Sequence, residues 1–226
     1  MPYRRTEKVT RRLAARQAAI ITAAGELAAE RGMAAVQIAP VARRAGIAAG
    51  TVYRYFPSKT EMVAALVGAV SEREVAAMRR AADAAPGPLS ALAAAIATFA
   101  TRALAARRLT WAILAEPIDP EVAATRIAYR RALAAEFGAR LAAAVGAGRL
   151  PEQDPALAAP ALVGALIEGL IGPLAPDLPD DPVKTHAAAQ MLTLFALRAL
   201  GVVDARARGL VVQMPRAPLR REPDRT

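Results

Sequence analysis

The fold is decided by residues 45–60, whose sequence is AGIAAGTVYRYFPSKT. Gly46 lets the chain turn between two helices, and the residues after it form a short helix that Pro57 terminates. Two tyrosines and a phenylalanine fall within four positions of a chain that is only 4% aromatic. Hydroxyl and cationic donors crowded onto two helical turns suit a surface that grips phosphates. The stretch therefore predicts a helix that lies against nucleic acid.

The composition predicts an all-α protein. The chain has 226 residues, 55% of them apolar, and it lacks the alternating runs of Val, Ile, Thr and aromatic residues that mark strands. It contains no Cys and one His, which excludes disulfides, thiolate chemistry and multi-histidine metal sites. Carboxylates are scattered and no glycine-rich phosphate loop follows a strand. We therefore expect no cofactor, no metal and no enzymatic activity.

Two features of the sequence concern the membrane. The longest apolar segment, residues 156–174, is interrupted by Pro160, Glu168 and Pro173, so we expect a buried helix there and no membrane partner. The first residues, MPYRRTEK, lack the apolar core of a signal peptide. The expected localisation is cytoplasmic.

Charge divides the chain into three parts. Residues 1–56 hold ten Arg or Lys against three acids, whereas residues 57–201 hold fourteen of each. Residues 202–226 hold six Arg against three acids. A basic end joined to a neutral remainder is the pattern of a nucleic-acid-binding domain attached to something else. We call residues 1–57 the head, residues 58–201 the body and residues 202–226 the tail.

Three helices are predicted in the head. A basic arm precedes a first helix that ends at the pair Arg31 and Gly32, a cation in the last turn followed by a C′ glycine. A second helix covers about residues 37–45, and the short helix with the tyrosines follows Gly46. This arrangement predicts a helix-turn-helix DNA-binding domain. The basic residues of the arm and of the first helix are Arg4, Arg5, Lys8, Arg11, Arg12 and Arg16.

The body is predicted to contain six further helices, about nine in the whole chain. The capping box SKTE at residues 58–61 starts the first of them. Asp-Pro pairs at residues 119–120, 154–155 and 181–182 place an N-cap and an N1 proline at three later starts. The body is expected to bind an effector and to dimerise. The tail is rich in Arg and Pro and is expected to be disordered.

Residue types and spacings in the head follow a known pattern in three segments: RG at residues 31–32, VARRAGI at 41–47 and GTVYRYFPSK at 50–59. Residues 17–66 as a whole resemble the DNA-binding head of tetracycline-repressor (TetR) family regulators. The resemblance implies a homodimeric, ligand-responsive transcription factor, usually a repressor, that is released by a small hydrophobic effector. Each subunit would place its third helix in a major groove of a near-palindromic double-stranded operator.

The resemblance also implies DNA contacts for single residues. In the family, positions matching Thr51, Tyr53, Tyr55 and Lys59 commonly clamp the DNA backbone. In this sequence three of them can present hydroxyls along one side of the third helix, and Lys59 adds charge at the start of the fourth. For Tyr55 the alternative is a ring packed between helices. The predicted DNA-binding residues are Gln37, Ala49, Thr51, Tyr53, Arg54, Tyr55 and Lys59.

The base-reading positions depart from the common family pattern. Ala48 stands where many relatives cap the third helix with Ser or Thr, and Ala39 and Ala49 stand where relatives often carry long polar side chains. Gln37 replaces a Thr that often caps the second helix. Bidentate contacts to bases are therefore expected to be few.

The remaining candidates for base contacts are arginines. Arg54 or Arg43 can supply one contact in the major groove, and Arg4 or Arg5 can enter the adjacent minor groove. Alanine methyl groups can pack on thymine methyl groups.

The body offers candidates for an effector pocket in the fifth to seventh helices of the chain, where relatives of the family bind effectors. A small-molecule cavity needs apolar walls and a few isolated polar groups. The alternative for each candidate is simple packing in the core. The predicted pocket residues are Phe99, Arg102, Trp111, Glu116 and Tyr129.

The last two helices of the body are the expected dimer interface. The helix near residues 155–172 is apolar on most sides, which is hard to bury within one subunit. Two helices from each subunit would form a four-helix bundle. Glu168 either faces the pocket or pairs across the dimer with an Arg such as Arg198. The predicted interface residues are Leu162, Ala165, Leu166, Met191 and Phe195.

Two competing hypotheses belong to other classes of protein. An enzyme is disfavoured by the absence of paired catalytic residues. A nucleoid-type DNA binder without an effector is favoured slightly by the basic tail, but a neutral body with aromatic residues counts against it. Sequence preference and effector-dependent release separate a regulator from a nucleoid protein.

Overall fold

The computed structural model describes residues 7–117, 120–178 and 181–214, and every regular element in these ranges is helical. The all-α prediction is confirmed, with ten α-helices in the described ranges against about nine expected. The elements are α1 (Glu7–Arg31), a 3₁₀ turn (Met33–Ala35), α2 (Ile38–Arg44), α3 (Ala49–Tyr53), α4 (Lys59–Asp83), α5 (Pro88–Ala105), α6 (Arg107–Leu114), α7 (Pro120–Gly146), α8 (Pro155–Leu170), α9 (Pro182–Ala199) and α10 (Asp204–Val212).

Side-chain caps start the helices where the sequence placed them. The Asp154 carboxylate accepts a hydrogen bond from the amide of Ala156 at 2.8 Å, and Asp181 accepts one from the amide of Val183 at 2.8 Å. Each acceptor satisfies one of the backbone donors left open at a helix N-terminus. Asp119, the cap predicted for α7, lies outside the described residues.

The chain divides into two compact units. The first comprises Met1–Ser71 and Arg108–Tyr129, and the second comprises Glu72–Arg107 and Arg130–Thr226. The first unit is larger than the 57-residue head because it also takes in part of α4, α6 and the start of α7. These units are defined by packing, so the functional boundary at residues 57/58 stays a prediction.

The first unit has its own apolar core. α1 packs against α2 and the 3₁₀ turn, and α2 packs against α3. Apolar side chains recur at helical spacing on one face of α1, which is the amphipathic pattern that predicted the helix. The buried side chains of this core include Ile20, Ala24, Leu27, Val36, Val41, Val52, Met62 and Leu66.

The second unit is organised around α5, which packs against α8, α9 and α10. α5 is also the one described helix that is long and apolar enough to cross a membrane, but 61% of it is buried inside the fold. Burial of this extent is typical of a helix in a protein core. Phe99 on α5 and Phe137 on α7 meet edge to face with ring centroids 6.3 Å apart, which is a favourable aromatic geometry.

The prediction of a disordered tail from residue 202 is wrong for its first part. Residues 204–212 form α10, which packs against α9 and α5 through the buried side chains of Ala207 and Val211. The Asp204 carboxylate bonds to Arg198 and Arg208. Two apolar residues at i and i+4 suffice to hold a short helix against an existing core. Residues 215–226 lie outside the described ranges.

Candidate nucleic-acid interface

The turn between α2 and α3 depends on Gly46. Its φ angle is +65°, in the left-handed region that favours glycine. The Gly46 amide donates to the Arg43 carbonyl at 3.2 Å, and the Ile47 amide donates to the Ala42 carbonyl at 3.0 Å. These two bonds close α2 and redirect the chain into α3, which gives the turn of a helix-turn-helix.

α3 is shorter than the sequence predicted. It ends at Tyr53, and Tyr55 lies in the turn that follows, where its amide donates to the Val52 carbonyl at 2.9 Å. Val52 and Phe56 are buried, so they anchor this segment to the core of the first unit. The placement of Tyr55 on the third helix was therefore wrong, because the chain leaves the helix one turn before Pro57.

Exposure separates the predicted DNA contacts into two groups. Tyr53 is 53% exposed, and Arg54 is exposed beside it. Thr51 and Tyr55 are half-buried, so each has one side against the protein and one side in solvent. The segment thus presents a phenol and a guanidinium directly to solvent, with two further hydroxyl-bearing side chains at its edge.

Lys59 is the first residue of α4 and is exposed. The Ser58 hydroxyl oxygen accepts a hydrogen bond from the amide of Glu61 at 3.0 Å, which fixes the start of the helix as the capping box predicted. The positively charged N-terminal end of α4 and the ammonium group of Lys59 therefore lie close together. This combination suits a phosphate.

The residues that stand at the base-reading and capping positions of the family pattern also lie near solvent. Ala39 and Ala48 are exposed and Ala49 is half-buried. Gln37 is the N-cap residue of α2 but makes no side-chain cap; its side-chain amide donates to the Ala34 carbonyl at 3.0 Å. Arg43 is exposed on the last turn of α2.

Arg44 is exposed, but its guanidinium is paired with acids of α1. Its guanidinium donates two hydrogen bonds to the Glu30 carboxylate, at 2.6 and 2.7 Å, and one to Glu26 at 3.3 Å. The bonds from Arg44 lower the pKa of Glu30, and the bonds to Glu30 raise the pKa of Arg44. A bidentate pair of this kind fixes the C-terminal end of α2 against α1. Sequence analysis missed this clamp because the acids lie on another helix.

The N-terminal part of α1 is a helical extension with a basic surface. From Val9 to Ala19 nearly every residue is exposed, Leu13 being half-buried. Arg11, Arg12 and Arg16 lie on this extension, and no acid occurs between Glu7 and Glu26. The predicted arm is thus helical from residue 7 onward. Arg4 and Arg5, the minor-groove candidates, lie outside the described residues.

Residues 20–66, which contain this whole helix-turn-helix, match the family model described as bacterial regulatory proteins, tetR family. This helix-turn-helix segment is therefore similar to the matching segment of tetR family regulators. Members of this family are DNA-binding transcription factors rather than enzymes. The expected resemblance is confirmed.

Individual relatives match about a third of the chain or less. The HTH-type transcriptional repressor KstR of Mycolicibacterium smegmatis is 42% identical over 77 residues, which cover 34% of this chain and 38% of that protein. The chain therefore matches little more than a third of the length of this relative.

Two solved structures extend the likeness in fold to most of the chain. RolR in complex with resorcinol has a TM-score of 0.64 and 24% identity, with coverage of 90% of this chain and 96% of RolR. FadR from Bacillus subtilis in complex with stearoyl-CoA has a TM-score of 0.61 and 19% identity, with coverage of 88% and 98%.

The polar candidates for the effector pocket are engaged within the protein. Arg102 donates to the Glu74 carboxylate at 2.9 Å. Burial raises the pKa of Glu74, but the hydrogen bonds from Arg102 and Arg73 outweigh this effect and hold its pKa below the usual value. Glu116 accepts a hydrogen bond from the backbone amide of Met33 at 2.9 Å. Both side chains therefore have structural partners.

The aromatic candidates are divided between the two units. Trp111 and Tyr129 belong to the first unit, where Trp111 is half-buried and Tyr129 is buried. Phe99 belongs to the second unit, where it packs on Phe137 as described above. Packing, the alternative weighed for each aromatic residue, is what the contacts of Phe99 show.

The predicted dimer residues also fall into two groups. Leu162 and Leu166 are buried within the single chain, where α8 packs against α5 and α9, so they offer little surface to a partner. Ala165, Met191 and Phe195 are exposed, with 66% of Met191 and 56% of Phe195 open to solvent.

Glu168 makes a local hydrogen bond within this chain, and its two predicted roles, facing the pocket or pairing across the dimer, stay predictions. Its carboxylate accepts a hydrogen bond from the Leu174 amide at 3.0 Å, which closes the loop after α8. Arg198, the suggested partner, bonds to Asp204.

A second cluster that the sequence did not predict, besides the one at Arg44, surrounds Glu136. This buried carboxylate accepts hydrogen bonds from Arg79 at 3.2 Å and Arg140 at 2.8 Å.

Proposed function

We propose that the protein is a homodimeric transcriptional repressor that binds a near-palindromic DNA operator and leaves it when a small hydrophobic effector binds. The observation that carries this proposal is the exposed row of donors around the end of α3 and the start of α4. Tyr53, Arg54 and Lys59 all reach solvent there. They lie inside the segment that matches the tetR family model.

The basic extension of α1 supports DNA as the partner. Arg11, Arg12 and Arg16 give this helix a basic surface, and the phosphate backbone of DNA is the matching polyanion. The phosphate contacts would position the head, while the few residues near the bases would give sequence preference. The KstR relative is a transcriptional repressor, which favours repression for this protein. The site of action would be the cytoplasm, where operator DNA lies.

The exposed faces of α8 and α9 support a homodimer. Met191 and Phe195 lie one helical turn apart on α9, and Leu157, Ala161 and Ala165 have the same spacing on α8. Exposed apolar residues in such rows mark an association surface. Small residues on α8 would let a second copy approach closely, and the two copies would form a four-helix bundle.

The effector class rests on the composition of the body and on the two structural neighbours. RolR was solved with resorcinol and FadR with stearoyl-CoA, and both ligands carry a large apolar part. The body of this chain is neutral and mostly apolar, which suits a hydrophobic ligand with few polar groups.

The proposal is tested first by selecting bound sequences from a library of random duplexes with the purified protein. We expect one near-palindromic sequence to be enriched. Equal affinity for unrelated duplexes of equal length would show a nucleoid-type binder and would overturn the proposal.

The effector is sought by the fluorescence of Trp111, the single tryptophan of the chain. Because Trp111 is half-buried in the first unit, its emission is expected to shift when a ligand changes its surroundings. Aromatic and long-chain compounds are screened by this shift and by thermal stabilisation, and the hits are then tested for release of the selected operator. If no compound that binds lowers operator affinity, the repressor acts without an effector of this class.

A further inference from the structure

The segment after α6 makes a long-range contact with the turn between α1 and α2. The Glu116 carboxylate accepts a hydrogen bond from the backbone amide of Met33 at 2.9 Å, across 83 residues of sequence. Both residues belong to the first unit. Met33 is 5% exposed and Glu116 is half-buried, so the bond is partly screened from water. A charged acceptor under these conditions forms one of the stronger protein hydrogen bonds.

The turn has a backbone that leaves room for this carboxylate. Gly32 has φ 82° and ψ 178°, a region that only glycine adopts without strain. A Cβ atom at this position would lie 3.0 Å from both carboxylate oxygens of Glu116. Gly32 is also the N-cap residue of the 3₁₀ turn and offers no side-chain acceptor of its own. Glu116 therefore supplies the cap that the local sequence lacks.

This contact lies just before the helix-turn-helix in the sequence. Met33 is the first residue of the 3₁₀ turn, which ends at Ala35, and α2 begins at Ile38. At its other end α2 is tied to α1 by the bonds from Arg44 to Glu30 and Glu26. The turn before α2 is thus held by a charge-assisted hydrogen bond to Glu116, and the C-terminal end of α2 is held by the bonds from Arg44.

We propose that Glu116 is a positioning residue for DNA recognition, whose carboxylate holds the α1–α2 turn and thereby keeps α2 and α3 in the orientation that fits an operator. This assignment places Glu116 at the DNA-binding head rather than among effector contacts. It rests on the proposed function, since it presupposes that the head binds an operator. The bond itself is measurable without DNA.

Three substitutions separate the reach of the side chain from its charge. Glu116→Gln keeps an acceptor oxygen at the same distance but removes the charge. Glu116→Asp keeps the charge but shortens the side chain by one methylene, and Glu116→Ala removes both. Glu152→Ala is the matched control, because Glu152 is an exposed acid in the second unit. Removing an acid makes the chain more basic, so a simple charge effect would raise DNA affinity.

The first readout is hydrogen exchange at the Met33 amide in the free protein. We expect exchange to become about 10-fold faster or more in Glu116→Ala and Glu116→Asp, since the amide loses its acceptor, and to rise by a smaller factor in Glu116→Gln, which keeps the acceptor without its charge. Unchanged exchange in all three variants would overturn the assignment, whatever the protein binds.

The second readout is the ratio of affinity for the selected operator to affinity for an unrelated duplex. Glu116→Ala and Glu116→Asp are expected to weaken operator binding about 10-fold while changing non-specific binding by about 2-fold or less. Glu116→Gln is expected to fall between these variants and the native protein, and Glu152→Ala to keep the native ratio. A parallel change in Gln and Ala would show that charge alone matters and would refute the positioning role. A native protein with no operator preference would instead refute the proposed function.

Should Glu116→Ala fail to fold, the Asp and Gln variants decide the question between them. Gly32→Ala gives an independent check, because its Cβ would meet the same carboxylate. Part of the resulting loss in operator affinity is expected to disappear in the double variant Gly32→Ala/Glu116→Gly, where the collision is removed. Strictly additive losses would show that the two residues act separately and would count against the assignment.

Discussion

The head and the body of this chain use their polar residues differently. In the head, Tyr53 and Arg54 reach solvent, and Lys59 follows them at the start of α4. In the body, Arg102 and Glu136 form internal ion pairs. The difference shows two uses of polar side chains. Those proposed to contact DNA are exposed on short elements, whereas those in the apolar body form ion pairs, because a buried charge is costly unless it is paired.

The largest effect on operator affinity is expected from breaking the proposed dimer, because the dimer brings two heads to the operator together. Met191→Asp combined with Phe195→Asp places two charges on the exposed face of α9 and should give a monomer. Operator affinity should fall by about 100-fold or more, because the second half-site is no longer bound intramolecularly. Sedimentation and operator titration measure the two effects.

The matched control for this pair is Leu174→Asp, an exposed apolar residue in the loop after α8. It should leave both the mass in solution and the affinity unchanged. A double variant that stays dimeric would place the interface elsewhere.

A second prediction concerns the basic extension of α1. Arg12→Ala combined with Arg16→Ala should reduce the slope of log affinity against log salt by about two units for each bound subunit, because each lost phosphate contact releases about 0.9 fewer counterions. Arg131→Ala combined with Arg149→Ala removes the same charge from exposed sites in the second unit. An equal change in slope for both pairs would show a general charge effect without a role for the extension.

A smaller effect distinguishes the contacts around α3. Tyr53→Phe and Lys59→Ala should weaken binding to all sequences alike, and Lys59→Ala should lower the salt slope by about one unit. Arg54→Ala should relax preference at one base step, at a cost of about 1–3 kcal/mol. Binding assays on the operator and on single-base variants measure this. If Arg54→Ala weakens every site equally, Arg54 contacts phosphate.

The smallest effect concerns stability in the body. The pKa of Glu74 lies below its ordinary value of 4.5 in the folded protein, so its ionised form stabilises the fold above about pH 4.5. This contribution is lost as the pH falls through the folded-state pKa. Arg102→Ala should cost about 0.5–1 kcal/mol at pH 7, a modest value because Arg102 is partly solvated.

Urea unfolding at pH 7 and at pH 3 measures the loss. The difference between the native protein and Arg102→Ala should shrink at the lower pH. A difference that stays constant would show that packing, rather than the ion pair, accounts for it.

Local patterns in the sequence predicted the fold and the position of the head. The spacing of Ile20, Ala24 and Leu27 predicted the buried face of α1, and the caps Asp154 and Asp181 marked two helix starts that the structure has. These features depend on neighbours within about four residues, which is the range over which helical patterns operate.

Long-range partners could not be predicted in the same way. The acids that hold Arg44 lie 14 and 18 residues earlier on another helix, and the amide that Glu116 accepts from lies 83 residues earlier. Nothing in the spacing of these residues reveals their contact, because it depends on tertiary packing. In α10 a weak local signal, Ala207 and Val211, was outweighed by the Arg and Pro content of the tail.

The measurement that tests the central claim most directly is a hydroxyl-radical footprint of the native protein on its selected operator. The account predicts two protected half-sites related by two-fold symmetry, with centres about 34–36 Å apart, the separation that two recognition helices of a dimer require. Uniform protection along the duplex, or a single protected half-site at saturating protein, would contradict it.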